Sequence, residues 1–347
     1  MLIYWNPLHT GHAPTHEFFR GDKVPCFETP ARADCVLSAM QTAGHDLREP
    51  DQDAAVALVQ IHAPRYLDFL QTAWDQWLAL DAGNAVKQPF PSVWPIRSLR
   101  SDVEPQNFVA RLGLYSMDNG SPLAAGTWAA ARAGANAAAS AAHAVMHGAR
   151  AAFCVTRPPG HHAGADFMGG YCFINNAAIA AQTLRNLAAE RVAVLDVDYH
   201  HGNGTQAIFY SRSDVLFASI HGDPLTEYPF YLGHANETGD GEGAGYNLNL
   251  PLPAHSSNAQ WFAALDQACE RIAEIGAQAL VVFLGLDTFA EDPISTFSLK
   301  AADYEQLGAR LARIGLPTVF VLEGGYATKA LGHNAQYLVG CFERAAA

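Results

Sequence analysis

Short apolar runs rich in β-branched residues alternate along the chain with longer segments in which apolar residues recur at three- and four-residue spacing. The short runs are typical of strands buried on both faces, and the longer segments are typical of the helices that cover them. The predicted strands are 152–156, 192–197, 215–220, 280–284 and 318–322. The predicted helices are 127–147, 174–188, 259–275 and 301–314.

This alternation predicts an α/β fold with a multi-stranded, mostly parallel sheet flanked by helices on both faces. Ligands of such sheets bind beyond the carboxyl ends of the strands. Each predicted strand is followed by a polar or glycine-rich segment, in chain order RPPGHHAG, DYHHGNG, HGDP, LDTFAEDP and EGGY. The sequence therefore predicts that these segments converge on one site.

Two segments interrupt the alternation, one at about 7–30 and one at about 81–126. The second is rich in Pro, Ser, Asn and Gly, and long loops in compact domains are often functional. We expect residues 1–347 to form a single domain in which both segments are long loops of the active site.

Composition narrows the class of protein. The 34 acidic residues against 21 Lys and Arg give a net charge of −13, which argues against a nucleic-acid-binding protein. Half of the residues are hydrophobic, enough for a large core and against intrinsic disorder. No apolar run reaches the ~18 residues of a membrane span, and the first residues lack signal-peptide features, so we expect a cytoplasmic protein without a membrane partner. The six cysteines form no CxxC pair, so any metal should have oxygen and imidazole ligands.

Three residues after two predicted strands have the chemistry of a metal site. Asp198 and His200 follow a buried strand, and alternation puts them on the same side of the backbone. Asp287 follows another strand, where a carboxylate is unfavourable unless it is paired or bound to a cation. Each could instead be a hydrogen-bonded loop residue, but their agreement favours a divalent metal with positions open for water and substrate. The ligand types suit Zn²⁺ and would also accept Fe²⁺ or Co²⁺.

Candidate acid–base groups lie in the neighbouring segments. His161 and His162 are adjacent in RPPGHHAG, and an ordinary pKa near 6.5 suits imidazoles to general acid and base roles. Asp196 and Asn203 could each accept the Nδ1 proton of one histidine, which would hold the two rings at different pKa values. Tyr326 ends EGGY, where its hydroxyl could donate to a developing oxyanion.

The motifs RPPGHHAG, GGYCFINNAAIAAQ, LDVDYHHGNGTQ, SIHGDP, LGLDTFAEDP and LEGGY together resemble the histone deacetylase superfamily, which has the arginase-deacetylase fold. HEFFRGDKVPCFETPARAD, WDQWLAL and LRSDVEP resemble the bacterial acetylpolyamine amidohydrolases in particular, so the resemblance covers nearly the whole chain. It implies a zinc-dependent amidohydrolase that removes acetyl groups from acetylputrescine, acetylcadaverine or acetylspermidine and gives acetate and the free amine.

The resemblance also assigns residues to roles. It implies that His161 and His162 are the tandem catalytic histidines and that Tyr326 polarises the scissile carbonyl while one histidine, more readily His162, takes a proton from water. The implied ligands of one Zn²⁺ per subunit are Asp198, His200 and Asp287. The implied ligands of a structural K⁺ are Asp196, Asp198, His200, Ser219 and Ile220.

For substrate binding, the resemblance implies a narrow tunnel for a linear aliphatic amide. Tyr171 and Tyr228 should form its walls, with Gly170 beside Tyr171. A cationic substrate favours acids at the tunnel mouth, and the long loops supply Glu17 and Glu104. The resemblance further implies a homodimer in which Glu104 reaches the partner subunit's site.

Alternatives from other classes remain. The principal one is a lysine deacetylase acting on acetyl-lysine peptides or other small acetylated amines. An arginase-like binuclear manganese enzyme would need a carboxylate two residues after Asp287, where Phe289 stands. Asn203 stands where many nuclear lysine deacetylases have Asp, in agreement with the polyamine branch. Asp118 is a candidate third acid at the tunnel mouth. The remaining alternative function is a non-catalytic sensor of acetylated ligands.

Overall fold

The computed structural model describes residues 1–346. Within this range, eight strands form one parallel sheet, and two further strands form an antiparallel hairpin. The strands are β1 (Leu2–Trp5), β2 (Glu17–Phe19), β3 (Asp22–Val24), β4 (Asp46–Arg48), β5 (Ala151–Val155), β6 (Val192–Asp196), β7 (Val215–Gly222), β8 (Asn247–Leu252), β9 (Ala279–Leu284) and β10 (Thr318–Leu322). The order of the large sheet is β4-β1-β5-β10-β9-β6-β7-β8, and the hairpin is β2-β3.

Helices cover both faces of this sheet. They are α1 (Pro30–Thr42), α2 (Ala55–Ile61), α3 (Pro64–Leu80), α4 (Phe108–Leu114), α5 (Thr127–Met146), α6 (Asn176–Asn186), α7 (Asn203–Phe209), α8 (Asn258–Glu274), α9 (Ala301–Arg313) and α10 (Thr328–Ala346). Local sequence fixes several of their starts: Pro occupies the first turn of α1 and α3, and Ser257 and Gln260 form a capping box at α8.

The core is divided by the sheet into two apolar clusters. Along β6, Val192 and Val194 belong to the cluster that includes residues of α2, α3, α5 and α6, whereas Ala193 and Leu195 belong to the cluster that includes residues of α1, α8, α9 and α10. Strands buried on both faces must be apolar throughout, which is the pattern read from the sequence. The predicted α/β fold with a parallel sheet between helical layers is thereby confirmed.

The predicted elements agree with the observed ones to within two residues at each end. The pattern did not predict the outer strands β1, β4 and β8. Both predicted loops contain short elements: 7–30 includes the β2-β3 hairpin, and 81–126 includes α4. No helix in the described part of the chain is long and apolar enough to cross a membrane.

The sheet positions the site because its five central strands, β5, β10, β9, β6 and β7, are neighbours and parallel. The carboxyl ends of these strands therefore meet at one edge. All five chemistry-bearing segments predicted from the sequence emerge there.

Candidate active site

The three predicted metal ligands come together at this edge. Asp198 and His200 lie in the turn after β6, and Asp287 lies in the turn after β9. One ligand atom from each lies within 4.8 Å of the others. His200 Nδ1 is 3.0 Å from Asp287 Oδ2 and 3.3 Å from Asp198 Oδ1. Tyr199 points away, as alternation predicts, and its hydroxyl lies 2.8 Å from Thr296 Oγ1.

Backbone amides hold the two carboxylates in place. Asp198 accepts hydrogen bonds from the N–H groups of His200 (2.9 Å) and Gly324 (2.8 Å), and Asp287 accepts one from Tyr199 (2.8 Å). A Cβ at Gly324 would lie 2.4 Å from Asp198 Oδ2, so the close approach requires glycine. Two buried, preorganised carboxylates and one imidazole fit a divalent transition metal and leave positions for other ligands.

The tandem histidines adjoin this group. The His161 and His162 ring centroids are 4.0 Å apart, and both side chains are buried. His161 Nδ1 lies 3.0 Å from Asp196 Oδ2, and His162 Nδ1 lies 2.7 Å from Asn203 Oδ1. In each pair the ring N–H donates to the oxygen. In a neutral His162 this bond fixes the tautomer and leaves Nε2 free to accept a proton.

The histidines differ in charge. Burial disfavours a charged ring, but the carboxylates of Asp198 and Asp196 outweigh burial and raise the pKa of His161 to about 10. Burial lowers the pKa of His162 well below its usual value, and the neighbouring His161 and His200 rings add to this effect. The surroundings thus favour the charged form of His161 and the neutral form of His162.

Glu323, the first residue of EGGY, supports the turn that carries the histidines. Its Oε2 accepts hydrogen bonds from the N–H groups of Gly160 (2.7 Å) and His161 (3.2 Å). Burial raises the pKa of Glu323 to about 8, against the opposing influence of His161. Glu323 belongs to a motif in the sequence, but the pattern alone predicts no role for it.

Tyr326 faces the cavity beside the metal ligands. Asp292 Oδ2 accepts the Tyr326 backbone N–H at 2.7 Å, and Arg32 Cζ lies 4.8 Å from the centroid of the phenol ring. Arg32 Nε also donates to the carbonyl of Gly325 at 2.6 Å. Burial raises the pKa of Tyr326 well above its usual value, so its hydroxyl keeps the proton that it would donate.

A buried ion cluster lies behind the turn that carries His161 and the turn that carries Tyr326. Glu28 Oε1 accepts hydrogen bonds from Arg157 Nε (2.8 Å) and Arg32 Nη1 (2.9 Å), and all three side chains are at most 1% exposed. Arg157 begins RPPGHHAG, and Arg32 also donates to the carbonyl of Glu323. The sequence analysis missed this cluster, although the four-residue spacing of Glu28 and Arg32 was a signal that the two could pair.

A cavity of about 770 Å³ leads from the surface to these groups. Its lining includes the predicted wall and mouth residues Glu17, Gly170, Tyr171 and Tyr228, together with Asp118, His162, His200, Asn203 and Tyr326. The Tyr171 hydroxyl donates to Glu17 Oε1 at 2.8 Å, and the Tyr228 hydroxyl donates to Asp118 Oδ2 at 2.6 Å. Each tyrosine wall is thus paired with one acid of the cavity lining.

Glu104 lies elsewhere. It is not among the residues that line this cavity, and its Oε1 lies 2.6 Å from Arg111 Nε on α4. Within one subunit the structure therefore does not bring Glu104 to Glu17. Any role at the mouth would depend on a second copy of the chain.

The residues expected to hold K⁺ lie on neighbouring strands. Asp196 at the end of β6 is in register with Ser219 on β7, and Ile220 follows. Asp196 Oδ1 accepts the N–H of Asp198 at 3.1 Å, so this group adjoins the metal ligands.

Comparisons with known proteins agree with this geometry. Residues 26–342 match the histone deacetylase domain. Acetylpolyamine amidohydrolases 1 and 2 of Pseudomonas aeruginosa are 50% and 49% identical to the chain, the first over 100% and the second over 99% of both sequences. A crystal structure of an acetylpolyamine aminohydrolase from Burkholderia pseudomallei superposes with a TM-score of 0.95 at 40% identity and covers 99% of both chains. The chain belongs to the histone deacetylase family.

Proposed function

We propose that this protein is a zinc-dependent amidohydrolase that removes acetyl groups from acetylated polyamines such as acetylputrescine, acetylcadaverine and acetylspermidine. The observation that carries the proposal is the cluster of Asp198, His200 and Asp287 beside the tandem histidines at a tyrosine-walled cavity. The names of the full-length relatives supply the substrate class.

The roles follow from the chemistry of each group. A divalent metal held by Asp198, His200 and Asp287 would polarise the amide carbonyl and lower the pKa of water. Neutral His162 accepts a proton from the attacking water and returns it to the leaving nitrogen as the C–N bond breaks. The Tyr326 hydroxyl donates to the carbonyl oxygen and stabilises the negative charge that develops there.

His161 stays protonated in this scheme, because Asp196 accepts its Nδ1 proton at 3.0 Å and stabilises its charge. Its positive ring stands beside His162 and favours the negatively charged transition state. Asn203 accepts the Nδ1 proton of His162 without adding charge, so the base keeps the low pKa that its burial imposes. A structural K⁺ on the Asp196 and Ser219 side of the site belongs to the same proposal.

The mouth supports a small cationic substrate. Glu17 and Asp118 place two carboxyl groups on the cavity lining, and the chain as a whole carries a net charge of −13. Acids at a narrow entrance raise the local concentration of cations. An acetylated diamine combines a linear alkyl chain with one ammonium group, which matches a cavity with tyrosine walls and two carboxyl groups in its lining.

We further propose a homodimer formed through the long loop before α4. Within this loop Val86 is 91% exposed, and Val93, Ile96, Leu99 and Val103 are all more than half exposed. A concentration of exposed apolar residues is typical of a protein interface. Glu104 follows directly in the sequence, so a second subunit at this surface would lie close to it.

The test is steady-state hydrolysis of N-acetylputrescine, N-acetylcadaverine and acetylspermidine beside an acetyl-lysine peptide, on zinc-loaded protein of measured oligomeric state. We expect a higher kcat/KM for the acetylated polyamines and a dimer in solution. A preference for the peptide would assign the protein to the lysine deacetylases. Absence of activity on every substrate, with metal bound, would favour the sensor alternative.

A further inference from the structure

One carboxylate connects the two tyrosine walls of the cavity. Asp118 Oδ2 accepts the Tyr228 hydroxyl at 2.6 Å and the backbone N–H of Gly170 at 3.1 Å, while Oδ1 accepts the N–H of Gly120 at 2.9 Å. Gly170 immediately precedes Tyr171, whose ring forms the other wall. The Asp118 carboxylate therefore binds one wall at the Tyr228 hydroxyl and the other at the backbone N–H of Gly170.

The turn at Gly170 and Tyr171 leaves no spare space. Both residues have positive φ angles, +49° and +68°, in the left-handed region. A Cβ at Gly170 would lie 2.3 Å from His162 Cδ2 and 2.9 Å from the Tyr228 hydroxyl oxygen. Tyr228 itself packs edge-on against His162, with ring centroids 5.0 Å apart. A small displacement of either wall would therefore be felt at the catalytic histidine.

The segment that carries Asp118 is itself fixed. The N–H of Met117 donates to the carbonyl of Met168 at 2.8 Å, and the N–H of Met168 donates to the carbonyl of Tyr115 at 2.8 Å. Asn203, which accepts the Nδ1 proton of His162, also has its Nδ2 3.2 Å from Met117 Sδ. Asp118 thus lies in a segment that is hydrogen-bonded to Met168 and contacts Asn203. This attachment suits Asp118 to hold the two walls at a fixed distance.

We propose that the Tyr228 hydroxyl, bound to Asp118, is a specificity determinant that fixes the width of the cavity mouth and admits slender acetylated amines in preference to acetylated side chains of a peptide. The inference rests on the proposed deacetylase function and adds a residue-level basis for its selectivity. Asp118 acts here as a bracket, because its two oxygens already accept three hydrogen bonds from the protein. We call Tyr228, Asp118 and Gly170 the mouth bracket.

Tyr228→Phe removes the hydrogen bond and keeps the ring. Tyr171→Phe is the matched control, since it removes a mouth hydroxyl bound to Glu17 and leaves the mouth bracket intact. The first readout is the ratio of kcat/KM for N-acetylputrescine to kcat/KM for an acetyl-lysine peptide. We expect Tyr228→Phe to lower this ratio about tenfold, chiefly through KM, and Tyr171→Phe to change it far less.

A second readout does not depend on activity. Hydrogen exchange measured by mass spectrometry should become faster in peptides covering 115–121 and 224–232 of Tyr228→Phe, and should stay unchanged there in Tyr171→Phe. Asp118→Asn, which keeps an oxygen acceptor, should resemble the wild type more closely than Asp118→Ala in both readouts.

The outcomes separate the two proposals. Wild-type protein that turns over only the peptide would refute the polyamine function, while hydrogen exchange would still test the mouth bracket. Equal changes of the ratio in Tyr228→Phe and Tyr171→Phe would show that wall polarity alone matters and would overturn the bracket. Unchanged exchange in Tyr228→Phe would overturn it as well, whatever the substrate.

Discussion

The buried Glu28 carboxylate gives a sharp test of how the catalytic turns are held. Glu28→Gln keeps the size and the shape of the side chain and removes its negative charge. Arg32 and Arg157, which share Glu28 Oε1, would remain buried without that negative charge. The substitution should therefore destabilise the whole protein and also disturb the segments that carry His161 and Tyr326.

The magnitude follows from burial. Removing one member of a buried ion pair typically costs about 3–5 kcal/mol, whereas an exposed pair contributes about 0–1 kcal/mol. Glu28 is 1% exposed and pairs with two guanidinium groups, so we expect a loss of at least about 3 kcal/mol in the free energy of unfolding. The matched control is Asp46→Asn, which removes a carboxylate paired with Arg48 where both side chains are about half exposed.

The assay is urea unfolding of the wild type and both variants at equal metal content. The loss should depend on pH: burial alone would raise the pKa of Glu28, but Arg157 and Arg32 outweigh it and hold the pKa below its usual value. The contribution is therefore present above the unfolded pKa of about 4.3 and is lost as the pH falls through the folded value, so the variant and the wild type should converge in acid. A loss below about 1 kcal/mol at pH 7, similar to that of Asp46→Asn, would refute the reasoning.

Three further predictions concern the chemistry. Tyr326→Phe should lower kcat by about 100- to 1,000-fold with bound metal unchanged, because one donor to the developing oxyanion is lost; unchanged turnover would contradict the proposed mechanism. Asp287→Asn should lower the metal content measured by atomic emission, and zinc added in excess should restore it only in part; full stoichiometric zinc would remove Asp287 from the ligand set. Asn203→Asp should raise the pKa of His162 and move the acid limb of the kcat/KM profile to higher pH, because a carboxylate at Nδ1 stabilises the protonated ring; an unmoved limb would argue against His162 as the base.

Sequence predicted the centre of the fold better than its edges, for a physical reason. Strands such as β6 and β9 are buried on both faces and read as continuous apolar runs. The edge strand β4, Asp46–Arg48, has three residues with exposed charges at its ends, so no periodic pattern marks it. β1 is only four residues long, and its place beside β5 depends on pairing across more than a hundred residues.

In the candidate site, too, some residues could be predicted from a local pattern and others could not. Asp198, His200 and Asp287 could be found from their place after apolar strands, because strand order and parallel pairing bring such ends together. The burial of Arg32 and Glu28 could not, since Glu and Arg are normally solvated and their four-residue spacing suggests a pair without showing that it is buried. Their burial results from contacts with turns roughly 130–290 residues away in sequence, which no local pattern reports.

The buried charges form a connected structure behind the site. Glu28 links Arg32 to Arg157, Arg32 holds the backbone of the Tyr326 turn, and Glu323 from that turn holds the backbone of the histidine turn. The links through Glu28 and Arg32 use charged groups, whereas Glu323, whose pKa burial raises to about 8, contributes a carboxyl oxygen that accepts backbone N–H groups. A partly broken network of this kind leaves buried charge unpaired. The turns that present Tyr326 and His161 are therefore held to each other through side chains as well as by the sheet, which explains why so many charges lie in an otherwise apolar core.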